Sequence, residues 1–229
     1  MKHFFKRILS ILVLVFTITN LTYANLTLKD FVDKELDVSG TFADFTKVPF
    51  SILDGKLVVL GDSYAFLLSA YSNYQFNYIV HQGYTVKQIN NEFVDKIPKD
   101  SFKYAYMFIG PNDFMNQTDL FSFKKNLQEI ILKLKSNGMQ VIFSNYFDPD
   151  YSTETSKTFT FYGIPCYQYD YIIKDLVISN NLIYVDILDL LSKYGRMEYD
   201  YVHPHENMYT PVIERIIEHI KYYEKTNVN

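Results

Sequence analysis

A hydroxyl, an imidazole and a carboxylate stand where they could form a nucleophile and its base. Ser63 follows Gly61-Asp62, directly after the apolar run Leu57–Leu60. Asp200 and His203 lie three residues apart in "DYVHP", a turn-like segment closed by Pro204. A serine hydroxyl needs a base to attack at neutral pH. His203 can be that base. Asp200 at this spacing can reach the imidazole Nδ1–H, which leaves Nε2 for Ser63. Nucleophile, orienter and base then run in the chain order Ser, Asp, His, an arrangement suited to acyl transfer.

Acyl transfer also needs donors for the tetrahedral oxyanion. The backbone N–H groups of Ser63 and Gly83 are candidates, the latter in "HQGYT". The side-chain amide of Asn112, in "GPND", is a third. Each segment also has a plainer reading. A serine at the start of a helix is often its N-cap. Gly, Pro, Asn and Asp are all turn formers, and an acid near a histidine in a loop can be incidental.

The elements that must position these residues alternate. "KLVVL", "FNYIVHQ", "YAYMFIG", "QVIFSNYF" and "LIYVDI" read as five strands, being short apolar runs bounded by turn residues. Between them lie helical patterns. Ser63 to Asn73 is the first. "TVKQINNEFVDKI" carries Val86, Ile89, Phe93 and Ile97 at helical spacing, and Asp119 to Asn137 is amphipathic and ends at Gly138. Helices are also expected over Tyr167–Asn180, Leu188–Tyr194 and Asn207–Lys225. Asp148–Pro165 reads as a long surface loop, and Leu26–Asp54 is weakly patterned. Continuous apolar strands alternating with helices predict a parallel α/β sandwich. In such sheets ligands bind beyond the carboxyl ends of the strands, and there the Gly61–Ser63, His81–Thr85 and Gly110–Asp113 segments fall.

Taken together, these segments resemble the SGNH hydrolases, also called the GDSL lipase/esterase family. Four blocks carry the likeness: "GDS" with Ser63, "HQGYT" with Gly83, "GPND" with Asn112, and "DYVHP" with Asp200 and His203. The resemblance spans most of the chain from Leu57 onward. It implies a flavodoxin-like, three-layer α/β/α sandwich on a five-stranded parallel sheet. It implies Ser63 as nucleophile, His203 as base and then acid, and Asp200 as orienter. Ser63, Gly83 and Asn112 would form the oxyanion hole, and no metal or cofactor is implied. Tyr64 departs from the block name, which has Leu there, and "HENMYT" departs from the small residues more usual after the histidine.

Composition narrows the rest. The chain has 229 residues, 48% hydrophobic and 21% charged, which suits a globular domain. Residues 1–24 carry Lys2, Lys6 and Arg7, an apolar stretch Ile8–Ile18, and Thr22 and Ala24 before a cleavage point. This is the pattern of a signal peptide. An SGNH-like domain over residues 25–229 would follow, with 25–55 as an N-terminal extension. Cleavage would remove three positive residues and no acidic ones, taking the formal charge from −4 to −7. A negative chain without a basic stripe is not built for nucleic acid, and it has no polybasic patch for an anionic membrane. Cys166 is the single cysteine, so no internal disulfide can form. "HPHE" places His203 and His205 two apart but lacks the H-E-x-x-H spacing of a zinc protease.

The expected function is an exported serine esterase removing acyl groups, acetyl first among them, from a carbohydrate. The aromatic segment "FTFYGIPCYQY" is a candidate sugar contact. Lipase, lysophospholipase or thioesterase action on longer chains, acetyl transfer to a glycan, and a non-catalytic surface binding module are the alternatives.

Overall fold

The computed structural model describes residues 41–44, 52–145, 166–195 and 203–227. All lie in one compact unit, Thr41–Asn229. Residues 1–24, read above as a signal peptide, the expected loop Asp148–Pro165, and Asp200 fall outside the described residues.

Five parallel strands form the sheet: β2 (Leu57–Gly61), β3 (Asn77–His81), β4 (Tyr104–Phe108), β5 (Gln140–Ser144) and β6 (Ile183–Val185). A sixth strand, β1 (Thr41–Asp44), pairs antiparallel with β3, Thr41 opposite His81. It belongs to the weakly patterned N-terminal stretch. Four residues with only two apolar side chains offer no period to read, so β1 is visible only through its pairing. The sheet order is β1-β3-β2-β4-β5-β6. Its parallel part is the doubly wound flavodoxin-like order, which reverses direction at β2 and opens a crevice between the ends of β2 and its neighbours.

The helices are α1 (Ser63–Tyr71), α2 (Val86–Glu92), α3 (Pro111–Met115), α4 (Leu120–Ser136), α5 (Cys166–Asn180), α6 (Leu188–Tyr194) and α7 (Tyr209–Asn227). α1 packs with α7 on one face of the sheet, and α2 and α5 flank α4 on the other. β2 and β4 are buried along their whole length, because both faces of the sheet are covered.

α4 shows how sequence becomes packing. Phe123, Leu127, Ile130, Ile131 and Leu134 recur at three- and four-residue steps and are all fully buried. Asp119 caps the start by accepting from the Ser122 amide at 2.9 Å. Gly138 follows the C-cap at φ +80°. Burial of one such large apolar side chain contributes about 1.5–3 kcal/mol. The α2 segment ends sooner than its periodicity predicts: the α-helix stops at Glu92 and Val94–Lys96 continue as a 3₁₀ turn. Phe93 and Ile97 are nonetheless buried, since the tighter turn still directs them to the core.

Candidate active site

Gly61 closes β2 in register with Phe108, the last residue of β4. A Cβ at Gly61 would lie 2.1 Å from the Phe108 carbonyl oxygen, so only glycine permits these strands to end side by side. Asp62 follows, and α1 starts at Ser63. The N-cap is therefore Asp62 and not Ser63: the Asp62 carboxylate accepts from the Tyr64 amide at 3.0 Å. Ser63, relieved of capping, occupies the first helical position and is half-buried.

His203 meets it from the far end of the chain. Its Nε2 lies 2.8 Å from Ser63 Oγ. Several contacts hold the histidine segment in place. The His205 amide donates to the Gly195 carbonyl at the end of α6 at 2.9 Å. Pro204 is buried, and Glu206–Met208 form a 3₁₀ turn leading into α7. His205 caps that turn, its Nδ1 accepting from the Asn207 amide at 3.3 Å. α7 is tied to the end of α1: the Asn73 amide donates to Thr210 Oγ1 at 3.0 Å, and Tyr74 Oη donates to Glu214 at 3.1 Å. The helix carrying Ser63 and the helix following His203 are thus fastened together.

Asn112 sits in the first turn of α3, past β4. Gly110, the N-cap of α3, adopts φ +128°, a conformation that favours glycine. Asn112 Nδ2 donates to Asp62 Oδ2 at 3.1 Å. Asp62 therefore holds the start of α1 with one oxygen and the Asn112 amide with the other. It is fully buried, and burial pushes its pKa from 3.8 up to about 7, against hydrogen bonds from Tyr64, Asn112 and Gly110 that favour the ionised form. Asp113, next in the chain, is buried too. Its Oδ2 accepts from the Val86 amide at 2.7 Å. Burial raises it to about 6.

Gly83 lies in the turn between β3 and α2, exposed and at φ +79°. The Asp113–Val86 bond ties the start of α2, just after this turn, to the Asn112 segment. Ser63, His203 and Asn112 are thus assembled at the carboxyl edge of the sheet, with the Gly83 turn at the end of neighbouring β3. Asp200 is not placed by the described residues. Asp62 and Asp113 escaped the sequence reading. Both stand inside the Gly-Asp-Ser and Gly-Pro-Asn-Asp segments, but turn chemistry accounted for each, and only their burial reveals more.

A hydroxyl 2.8 Å from an imidazole nitrogen and at a helix N-terminus, with a side-chain amide bonded to the residue before it, can exchange a proton and tolerate developing negative charge. No family model and no curated protein matches the sequence. Solved structures do match. An acetylxylan esterase, Axe2, from Geobacillus stearothermophilus is 16% identical, with 76% of this chain and 96% of that chain covered at a TM-score of 0.52. A protein assigned as an acylhydrolase from Bacteroides fragilis is 17% identical, covering 75% and 88% at a TM-score of 0.58. A protein assigned to the G-D-S-L lipolytic family from Desulfitobacterium hafniense is 15% identical, covering 72% and 99% at a TM-score of 0.57. The chain has the α/β/α fold of the SGNH, or G-D-S-L, hydrolases.

Proposed function

We propose that the protein is an exported serine esterase acting on acyl esters, with acetyl groups on a carbohydrate as the leading substrate. One observation carries the reading: His203 Nε2 stands 2.8 Å from Ser63 Oγ at the carboxyl edge of β2. His203 takes the Ser63 proton as Oγ attacks the ester carbonyl. The oxyanion is held by the Ser63 and Gly83 amides and by Asn112. The Asn112 amide has two hydrogens; one serves Asp62, and the other is assigned to the oxyanion. The imidazolium then gives its proton to the departing alcohol oxygen, leaving an acyl-Ser63. Water, deprotonated by His203, releases the acid and restores the hydroxyl. Asp200 is assigned the role of orienting His203.

Support for the substrate comes from the structural neighbours, which include acetylxylan esterases. Among the Axe2 structures are catalytic mutants in which a serine or a histidine is replaced by alanine. The lipolytic G-D-S-L neighbour favours a second reading, hydrolysis of longer acyl chains. Export rests on the pattern of residues 1–24.

A fluorophosphonate probe should label the wild-type protein and leave Ser63→Ala unlabelled. Equal labelling of both would remove Ser63 as nucleophile, and labelling of neither would favour a binding module. A p-nitrophenyl ester series should peak at acetate; a steep rise toward long chains would transfer the assignment to lipids.

A further inference from the structure

Tyr64 stands where the G-D-S-L block has leucine, and its ring packs against that of His203. It is 1% exposed. Its ring centroid lies 4.7 Å from that of His203, with the planes inclined by 39°. Its other side meets Phe108 at the end of β4, at 5.6 Å and 55°. The arrangement follows from helix geometry. Ser63 and Tyr64 are consecutive residues at the start of α1, about 100° apart around the axis. Ser63 is half-buried and meets His203, while Tyr64 is buried toward Phe108 of the sheet. The imidazole is thus contacted twice by neighbouring residues, at Nε2 by the Ser63 hydroxyl and through its ring by Tyr64.

A leucine here would fill space without a π-face. An aromatic ring also fixes orientation, because ring pairs prefer offset or tilted geometries at 4.5–7 Å. It further favours a cation near its face. Resting on the reading of His203 as the base, we infer that Tyr64 is a positioning residue for catalysis in this chain, holding the imidazole against Ser63 and favouring the imidazolium formed as the serine proton is taken. The imidazolium exists in the transition state and not in the bound ester. The contribution therefore falls on kcat and leaves KM nearly unchanged.

The test compares Tyr64→Leu, Tyr64→Met and Tyr64→Phe with the wild type, using p-nitrophenyl acetate hydrolysis and the rate of fluorophosphonate labelling. Both are normalised to the folded fraction measured by circular dichroism. Tyr64→Leu and Tyr64→Met should lower kcat about 3- to 15-fold, with KM within twofold and labelling slowed in parallel. Tyr64→Phe should stay within twofold of wild type. Methionine is the second non-aromatic variant should leucine fail to fold. Wild-type labelling with equal rates in the non-aromatic variants would overturn the role of Tyr64 while leaving the esterase reading intact. A loss of kcat that phenylalanine does not rescue would also overturn it. A wild type that neither labels nor hydrolyses would overturn both.

Discussion

Asn112 Nδ2 donates to Asp62 Oδ2 across 3.1 Å, linking the residue before Ser63 to the amide assigned to the oxyanion. The same carboxylate receives the Tyr64 amide at 3.0 Å and so fixes the first turn of α1. One buried acid thereby ties the first turn of α1 to the Asn112 side chain. A serine and an oxyanion donor that follow different strands, at the starts of α1 and α3, must keep a constant separation. A shared, buried acceptor provides this better than loop packing, because neither donor can leave without stranding a polar group.

Asn112→Ala should lower kcat by about 10²–10³-fold, with a small change in KM, as for loss of a single oxyanion donor. Steady-state kinetics on an acetyl ester checks this. A change confined to KM would place Asn112 in ground-state binding.

Asp62→Asn should abolish the hydrogen bond from Tyr64 or the one from Asn112, since one amide oxygen replaces two carboxylate oxygens. It should also alter the pH dependence of stability. The Asp62 pKa is raised on folding, from 3.8 to about 7. The folded state therefore binds the proton more tightly. The stabilisation is fully present below about pH 4 and is lost as pH rises through about 7, at up to about 1.4 kcal/mol per pH unit. Urea unfolding of wild type and Asp62→Asn across pH 4–8 should show the wild type losing stability relative to the variant as pH rises. A constant difference would refute this.

Ser63→Ala and His203→Ala should each cost about three orders of magnitude or more in kcat, and the double variant should be hardly worse than either. Groups that act as one unit are non-additive in this way. Multiplying losses would show that the 2.8 Å contact is not used in the reaction.

Gly61→Ala and Gly83→Ala should separate packing from chemistry. At Gly61 the new methyl would collide with the Phe108 carbonyl, costing about 3 kcal/mol or more in unfolding free energy. At Gly83 nothing lies within 4 Å of the added carbon. Only the strain of φ +79° remains, about 1–2 kcal/mol. The urea midpoint should fall far more for the first variant. A fall in activity for the second, with the midpoint little changed, would report displacement of the Gly83 amide.

Much was legible in the chain itself. Strand and helix order followed from runs such as Leu57–Leu60 and from the spacing of Phe123, Leu127, Ile130 and Leu134, because burial imposes a period on the residues that undergo it. Strand β1 was not legible, since its four residues take their conformation from pairing with β3. The early end of α2 was not legible either: Phe93 and Ile97 satisfy the helical period and are buried equally well by the 3₁₀ turn that follows.

The sequence by itself determined the residue types available for chemistry, Ser63, Asn112, Asp200 and His203, and the place of Ser63 and Asn112 after apolar strands. Their types and order pointed to an acyl-transfer site, because a weak nucleophile needs a base and an oxyanion needs donors. Only the tertiary structure decided that Asp62, and not Ser63, caps α1, since both are good capping residues and one-dimensional pattern cannot choose between adjacent candidates. It also decided that Asp62 and Asp113 are buried and that Tyr64 lies against His203. Burial and ring contact arise from segments that meet across the sheet, and those meetings depend on the strand order, which local propensity does not encode.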